Sequence, residues 1–199
     1  MPSSLFLAST SPRRRELLQQ LGLVFSVLKI EVDETRLAGE APEQYVQRLA
    51  QEKARAGLAQ VSSGSVVIAA DTTVALGDAE LGKPGSEAEA IVMWTQLSGA
   101  GHRVLTGVAV ARRQEDGDEV LSQVVTTAVH FRDIAPEEMR AYWASGEPAD
   151  KAGGYAIQGR GAVFVTGISG SYSNVVGLPL AETAVLLAQF GISVWPDDK

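Results

Sequence analysis

Four clusters of polar residues could carry chemistry, and the first combines hydroxyl groups with arginines at a helix start. Ser9, Ser11, Arg13 and Arg14 lie close together around Pro12. Backbone N–H groups at a helix start point towards an anion, and guanidinium groups offer bidentate hydrogen bonds to phosphate. The cluster therefore indicates a phosphate-binding site. A helix capped by Ser11, with a solvated basic face, is the alternative interpretation.

Acidic residues form the second and third clusters. Asp71 directly follows the apolar run 66–70, and an ionised carboxylate beside so apolar a strand is costly unless it pairs with a cation or binds a metal. Glu31, Asp33 and Glu34 supply further carboxylates, which together with Asp71 could hold a hard divalent ion such as magnesium. An aspartate that turns the chain and a solvated acidic loop are the alternatives.

Two lysines could reach the phosphates of a ligand. Lys53 continues the apolar stripe of a helix predicted over 42–60, where a lysine that snorkels to water is the alternative. Lys83 follows a glycine turn and ends a G-x-x-x-x-G-K pattern at 77–83. The pattern fails as a P-loop because Pro84 stands where Ser or Thr is needed for magnesium.

The fourth cluster is the glycine-rich segment 150–159, which contains Gln158. Glycines permit close approach of the backbone, and a glutamine amide can donate and accept hydrogen bonds simultaneously. This combination suits the edge of uracil or thymine, which presents an acceptor and a donor side by side. A glycine-rich surface loop is the alternative.

Composition limits the partners and the class of protein. The 199 residues are 45% hydrophobic and 21% charged, as in an ordinary globular chain. The absence of cysteine excludes disulfides and thiolate chemistry and favours the cytoplasm. A net charge of -7 has the wrong sign for coating nucleic acid, and the longest apolar run is far too short to span a membrane. We therefore expect neither stable nucleic-acid binding nor membrane insertion.

Hydrophobic patterning predicts alternating strands and helices. Strands are expected at 5–8, 25–28, 66–76, 101–112, 119–132 and 162–169, and helices at 13–21, 42–60, 86–97, 136–145 and 180–190. A break near Asp71 stays open, and the loop Gln-Glu-Asp-Gly-Asp joins the two longest strands into a hairpin. Since a hairpin is antiparallel, we expect a mixed sheet in an α/β or α+β fold.

Seven motifs, in sequence order, resemble the Maf family of nucleoside triphosphate pyrophosphatases, also called septum formation inhibitor proteins. They are STSPRRRELL at 9–18, VDE at 32–34, AQEKA at 50–54, ADTTV at 70–74, GKP at 82–84, DKAGGYAIQG at 150–159 and VGLP at 176–179. Within the family the chain is most similar to the branch that acts on dTTP and UTP. The resemblance implies one α/β domain over 1–199 with a Maf/ITPase-like fold, in which an elongated mixed sheet carries flanking helices and two lobes surround a central cleft.

The resemblance also implies a reaction, which is cleavage between the α and β phosphates to give the nucleoside monophosphate and pyrophosphate. By resemblance Asp71 is the proton acceptor, and Glu34 and Asp71 lie near a divalent cation, Mg²⁺ or Mn²⁺. The pyrimidine preference is linked to Arg13, Thr72 and Gln158. The expected triphosphate-binding residues are Arg13, Arg14, Lys53 and Lys83 by resemblance, together with Ser9 and Ser11 of the hydroxyl cluster. A homodimer is implied as well, although nothing in the sequence shows it independently.

Two other functions stay open at this level. A non-enzymatic regulator of cell division or septation is the role behind the older family name, and the negative net charge and the intact candidate site oppose it. A pyrophosphatase for methylated GTP is the closer alternative, and the combination of Arg13, Thr72 and Gln158 opposes it.

Overall fold

A computed structural model describes residues 4–114 and 117–195. The strands in this part of the chain are β1 Leu5–Leu7, β2 Ser26–Val27, β3 Val66–Leu76, β4 Ala79–Leu81, β5 Gly101–Gln114, β6 Gly117–Phe131 and β7 Val165–Ser169. The α-helices are α1 Pro12–Gln20, α2 Pro42–Leu58, α3 Glu87–Leu97, α4 Pro136–Ala144, α5 Tyr172–Val176 and α6 Leu180–Gln189, and 3-10 segments cover Glu147–Asp150, Ala152–Gly154 and Arg160–Phe164.

The strands form one mixed sheet of seven, in the order β2-β1-β3-β5-β6-β7, with β4 paired to β3. β1 is parallel to both β2 and β3, whereas β4 is antiparallel to β3 and β7 is antiparallel to β6. The prediction of an α/β fold with a mixed sheet and flanking helices is therefore confirmed. The single domain over 1–199 and the central cleft stay predictions.

β3 runs without interruption through Asp71, so the break that the sequence left open does not occur. The strand continues because its second half pairs with β4, Val74 lying opposite Leu81. Its register with β1 ends at Ile68. Asp71 thus lies between the stretch of β3 that pairs with β1 and the stretch that pairs with β4.

The chain divides into two compact units. The first comprises Met1–Asp71, Thr106–Val125 and Gly177–Lys199, within the described residues. Small apolar side chains pack α2 against its strands, among them Ala8, Ala50, Ala54, Val67, Ala69, Ala109 and Ala111. A Cβ atom at Gly107 of β5 would overlap the backbone carbonyl group of Val46 in α2. Glycine at 107 therefore lets the backbone of α2 lie directly on β5.

The second unit comprises Thr72–Leu105 and Thr126–Val176 and has an aromatic core. Its rings meet edge to face or tilted, in pairs between Trp94 and Tyr142, Tyr142 and Phe164, and Phe131 and Tyr155. These rings surround the glycine-rich segment, since Trp94 Nε1 donates to the carbonyl oxygen of Gly154 at 3.1 Å. The core of this unit therefore fixes the segment that carries Gln158.

Several boundaries differ from the sequence predictions. The strand expected from residue 162 begins at Val165, because the backbone over 160–164 turns as a 3-10 segment. The patterns did not predict β4 or α5, which are three and five residues long and too short to show a period. Part of the predicted Gln-Glu-Asp-Gly-Asp loop lies outside the described residues. No helix in the described part of the chain has the length and apolarity needed to cross a membrane.

Candidate active site

Arg14 is anchored at the start of α1 by two oxygen atoms. Its Nε donates to the carbonyl oxygen of Gly177 at 2.9 Å, and its Nη1 donates to Ser9 Oγ at 3.3 Å. The backbone N–H of Ser11 donates to the same Ser9 Oγ at 3.3 Å. The Ser11 side chain makes no capping hydrogen bond, so the capped-helix alternative is wrong for this serine. Two hydroxyl residues and a guanidinium group thus converge at a helix start, which suits a phosphate.

Electrostatics link Arg14 to the predicted acidic residues. Burial is the largest influence on the pKa of Arg14 and lowers it, while Asp71 raises this pKa, Arg13 lowers it and Glu34 raises it. Arginine nevertheless keeps its charge in proteins. A desolvated guanidinium group of this kind gains free energy when an anion reaches it.

Lys53 lies between the two carboxylates predicted for the metal. Its Nζ atom is 2.6 Å from Oδ1 of Asp71 and 2.6 Å from Oε1 of Glu34. The side chains of Lys53 and Asp71 are only 12% and 11% exposed, whereas Glu34 is 54% exposed. The snorkelling alternative for Lys53 is therefore wrong, because its ammonium group is largely buried and pairs with two carboxylates.

Two regular spacings in the sequence, one helical and one of a strand, bring Lys53 and Asp71 together. Lys53 follows buried Val46 by seven residues on α2, and so lies on the helix face that packs on the sheet. Asp71 alternates along β3 with Val67 and Ala69, which pack against the same helix. A helical stripe and a strand face thus bring a cation and an anion together over a distance of 18 residues in sequence.

Glu34 belongs to this site, and the other carboxylates of the 31–34 loop are engaged elsewhere. Glu31 pairs with Lys29 at 3.2 Å, with both side chains largely exposed. The carboxylate of Asp33 accepts a hydrogen bond from the backbone N–H of Thr35 at 2.9 Å. The sequence hypothesis that three acidic residues of this loop join Asp71 at a metal is therefore reduced to Glu34.

The donor set fits a divalent metal completed by other ligands. Carboxylate oxygens such as those of Glu34 and Asp71 are the ligands that Mg²⁺ and Mn²⁺ prefer. Over residues 4–114 and 117–195, no group of three or more His, Asp or Glu residues is arranged to hold an ion. Magnesium is typically bound by one or two carboxylates together with water and substrate phosphates, so two carboxylates are sufficient.

Residues that the sequence analysis missed hold the loop that carries Glu34. Tyr45 Oη donates to the carbonyl oxygen of Glu34 at 2.9 Å, and Arg48 Nη2 donates to that of Thr35 at 3.2 Å. Arg48 also forms an ion pair with Glu40 at 2.6 Å, and its hydrogen bond lowers the pKa of Glu40 to about 2 despite burial. The only signal in the sequence is the spacing of Tyr45 and Arg48, which share one face of α2.

In the second unit, the glycine-rich segment packs against the turn that carries Lys83. The backbone N–H of Gly153 donates to the carbonyl oxygen of Gly82 at 3.0 Å. A Cβ atom at Gly154 would lie 3.3 Å from the Pro84 ring, and both Gly153 and Gly154 have a positive φ of 66°. Glycine is therefore required here for backbone conformation as well as for close approach.

Gln158 is exposed at the end of this buried segment. Residues 153–157 are buried, so the alternative of an ordinary surface loop is wrong for this half of the segment. Thr72 shares one face of β3 with Val74, because side chains alternate along a strand. A Cβ atom at Gly153 would lie 3.1 Å from Val74, so the glycine-rich segment packs against this face of β3 at Val74.

The predicted site residues thus fall into two groups. The first unit contains Ser9, Ser11, Arg13, Arg14, Glu34, Lys53 and Asp71, and the second contains Thr72, Lys83 and Gln158. Direct contacts join Lys53 to Asp71 and Glu34, and Arg14 to Ser9. Arg13 is partly exposed on the first turn of α1.

Comparison with known proteins identifies the family of the chain. The family model described as Maf-like protein matches residues 4–190, and the chain belongs to this family. A dTTP/UTP pyrophosphatase of Myxococcus xanthus is 55% identical over 188 residues, which are 94% of this chain and 93% of the relative. Proteins of the same name from Pectobacterium atrosepticum and Methylococcus capsulatus are 52% and 51% identical over 94% of this chain and 93% and 91% of theirs.

A solved structure described as a nucleoside-triphosphatase / dITP/XTP pyrophosphatase, from Mycobacterium abscessus, is 15% identical to this chain with a TM-score of 0.41. The match covers 72% of this chain and 95% of that chain.

Proposed function

We propose that this chain hydrolyses dTTP and UTP to the nucleoside monophosphate and pyrophosphate, and that its cellular role includes clearing modified pyrimidine nucleotides. The observation that carries the proposal is the contact of Lys53 with buried Asp71 and with Glu34, close to the charge of Arg14. Such a site offers a base, a metal position and phosphate-binding cations together. Relatives that are 51–55% identical over nearly the whole chain bear the name of this activity.

Asp71 is the proton acceptor in this proposal. A water molecule attacks the α phosphorus and passes a proton to the Asp71 carboxylate. The bond from the α phosphorus to the bridging oxygen breaks, and pyrophosphate leaves. Lys53 holds Oδ1 of Asp71 at 2.6 Å and so fixes the direction of its other oxygen. Orientation of the base is thus built into the free protein.

The phosphate-binding groups act on the charge of the triphosphate. Ser9, Ser11, Arg13 and Arg14 at the start of α1 supply hydroxyl, N–H and guanidinium donors, and Lys53 and Lys83 supply point charges. Fixed donors of this kind stabilise the negative charge that the phosphoryl oxygens develop during bond breaking. Glu34 and Asp71 would hold a divalent cation, Mg²⁺ or Mn²⁺, which when bound neutralises phosphate charge.

Base selection is assigned to Arg13, Thr72 and Gln158. The amide of Gln158 can donate to an acceptor and accept from a donor on the uracil or thymine edge. A base with the opposite pattern would leave a polar group unpaired, which is penalised when the bound base shields that group from water. A cytoplasmic homodimer completes the proposal.

The test is hydrolysis of a nucleotide panel by the purified protein with Mg²⁺. The panel contains dTTP, UTP, CTP, GTP, ATP and methylated GTP, and pyrophosphate is separated from orthophosphate. We expect pyrophosphate from dTTP and UTP, with a rate reduced about a hundredfold or more in Asp71→Asn. Asp78→Asn, in the exposed turn between β3 and β4, is the matched control and should hydrolyse at the unaltered rate.

Other products would replace the proposal with one of its alternatives. Hydrolysis of methylated GTP in preference to dTTP would indicate the related pyrophosphatase branch. If the protein hydrolyses no nucleotide of the panel and binds DNA tightly at physiological salt, and if this binding persists in Asp71→Asn, the result would favour the division regulator. Orthophosphate as the product would exclude cleavage between the α and β phosphates.

A further inference from the structure

The loop that carries Gln158 is fixed at both ends by one pair of side chains. Before Gln158, the backbone N–H of Ala156 donates to Tyr142 Oη at 3.1 Å. After it, the backbone N–H groups of Arg160 and Gly161 donate to Glu147, to Oε2 at 2.9 Å and to Oε1 at 3.1 Å. The loop between these anchors contains only Ile157, Gln158 and Gly159.

The two anchoring side chains are joined to each other. Tyr142 Oη donates to Glu147 Oε1 at 2.7 Å, so the hydroxyl and the carboxylate form one hydrogen-bonded unit. Burial would raise the pKa of Glu147, but the N–H groups of Arg160 and Gly161 and the Tyr142 hydroxyl bring the pKa below its ordinary value. The carboxylate is therefore held as an anion that accepts three hydrogen bonds.

The rest of the unit prevents this pair from moving. The Tyr142 ring lies in the aromatic core, with its centroid 5.2 Å from that of Trp94 and 5.2 Å from that of Phe164. Glycines in the loop permit the close approach, because a Cβ atom at Gly159 would overlap the Glu147 carboxylate and one at Gly161 would lie 2.6 Å from Tyr142 Oη. The core thus holds Tyr142 in place, and Tyr142 and Glu147 together hold the backbone on both sides of Gln158.

We propose that Tyr142 and Glu147 are positioning residues for base selection, acting through the loop of Gln158. The inference rests on the proposed function, in which Gln158 contacts the pyrimidine edge. A hydrogen bond discriminates between bases only when its direction is fixed, and this exposed side chain depends on its backbone for that direction. Neither positioning residue touches the substrate.

The test is a double-mutant cycle between Tyr142→Phe and Gln158→Ala. The measured quantity is the ratio of kcat/KM for dTTP to that for CTP, since cytosine presents the opposite donor and acceptor pattern. We expect Tyr142→Phe to lower this ratio about tenfold in the wild-type background, as a misdirected hydrogen bond would. In the Gln158→Ala background the same substitution should leave the ratio unchanged, because the group that it directs is absent.

Thr183→Val is the control for loss of a buried hydroxyl. Thr183 Oγ1 donates to the carbonyl oxygen of Pro179 at 2.6 Å in the first unit, so its removal should lower the unfolding free energy without changing the ratio. Glu147→Gln is the second variant if Tyr142→Phe fails to fold, and it should lower the ratio because an amide nitrogen would face a backbone N–H group.

The possible outcomes distinguish a failure of this inference from a failure of the proposed function. If Gln158→Ala lowers the ratio but Tyr142→Phe or Glu147→Gln lowers it equally in both backgrounds, the positioning role is overturned and the proposed function stands. If Gln158→Ala leaves the ratio unchanged, the assigned role of Gln158 fails and the inference fails with it. If the wild-type protein hydrolyses neither nucleotide, the proposed function itself is wrong.

Discussion

Lys53 and Asp71 form an ion pair that is largely withdrawn from water, and this sets them apart from the exposed pairs of the same unit. Removing one partner of a buried pair leaves the other charge uncompensated, whereas an exposed pair contributes little. The exposed counterpart here is Lys29 with Glu31, whose side chains are 78% and 83% exposed. The two lysines therefore make a direct comparison.

We predict that Lys53→Met lowers the free energy of unfolding by about 1–3 kcal/mol, because the buried carboxylate of Asp71 loses the ammonium group that contacts it. The double variant Lys53→Met with Asp71→Asn should recover part of this loss while remaining inactive. Urea unfolding at pH 7 measures both. Lys29→Met should change the unfolding free energy by less than about 0.5 kcal/mol. Equal losses at the two lysines would contradict the buried pairing.

At the scale of elements, the site depends on how closely α2 lies on the sheet. Gly107 of β5 meets the Val46 carbonyl group in α2, and Lys53 lies two turns further along that helix. The close contact that Gly107 permits therefore determines the distance between Lys53 on α2 and Asp71 on β3. Gly107 and Val46 have no polar side chain, so a substitution at either residue changes the site through packing alone.

We predict that Gly107→Ala displaces α2, destabilises the protein by about 1–3 kcal/mol and lowers kcat/KM for dTTP. Urea unfolding and steady-state kinetics measure the two effects. Gly167→Ala in β7 is the control, since a Cβ atom there would meet nothing within 4 Å. A Gly107→Ala protein with wild-type stability and kinetics would show that α2 is not seated as described.

Helices and strands with a clear hydrophobic period could be predicted from the sequence. Elements whose extent depends on pairing with another strand could not. The apolar stripe over 42–60 and the alternation at 127, 129 and 131 correspond to α2 and β6. The continuation of β3 beyond Asp71 depends on pairing with β4, whose three residues carry no pattern. The strand predicted from 162 begins at Val165, because the backbone over 160–164 turns as a 3-10 segment before it enters the sheet.

At the scale of the whole molecule, groups whose pKa values are lowered in the folded protein determine the response to acid, and His102, Glu40 and Glu138 have large shifts. Burial, with a smaller contribution from His130, lowers the pKa of His102 to about 4. Hydrogen bonds from Arg48 and Arg132 lower the pKa values of Glu40 and Glu138 to about 2. In each case the unfolded chain binds protons at a higher pH than the folded protein, so stability is lost as the pH falls.

We predict two windows of acid destabilisation. The unfolding free energy should fall between about pH 6.5 and 4 as unfolded His102 takes up its proton, and again between about pH 4.5 and 2 as the two glutamates do so. Urea unfolding at a series of pH values measures this. His102→Gln should remove the first window, and His130→Gln, at an exposed histidine, should retain it. A first window that persists in His102→Gln would contradict the assignment.

The sequence by itself determined the family, the mixed α/β class and the identities of the candidate site residues, because these depend on local patterns and on motifs in order. Tertiary structure alone decided which charges meet. Lys53 reaches Asp71 and Glu34 because a helix face, a strand face and a loop converge. Glu31 and Asp33 of the same loop are engaged elsewhere, Glu31 with Lys29 and Asp33 with the backbone N–H of Thr35. Tyr142 and Glu147 carried no signal in sequence, since their contacts to the loop of Gln158 are made to backbone atoms, which every residue possesses.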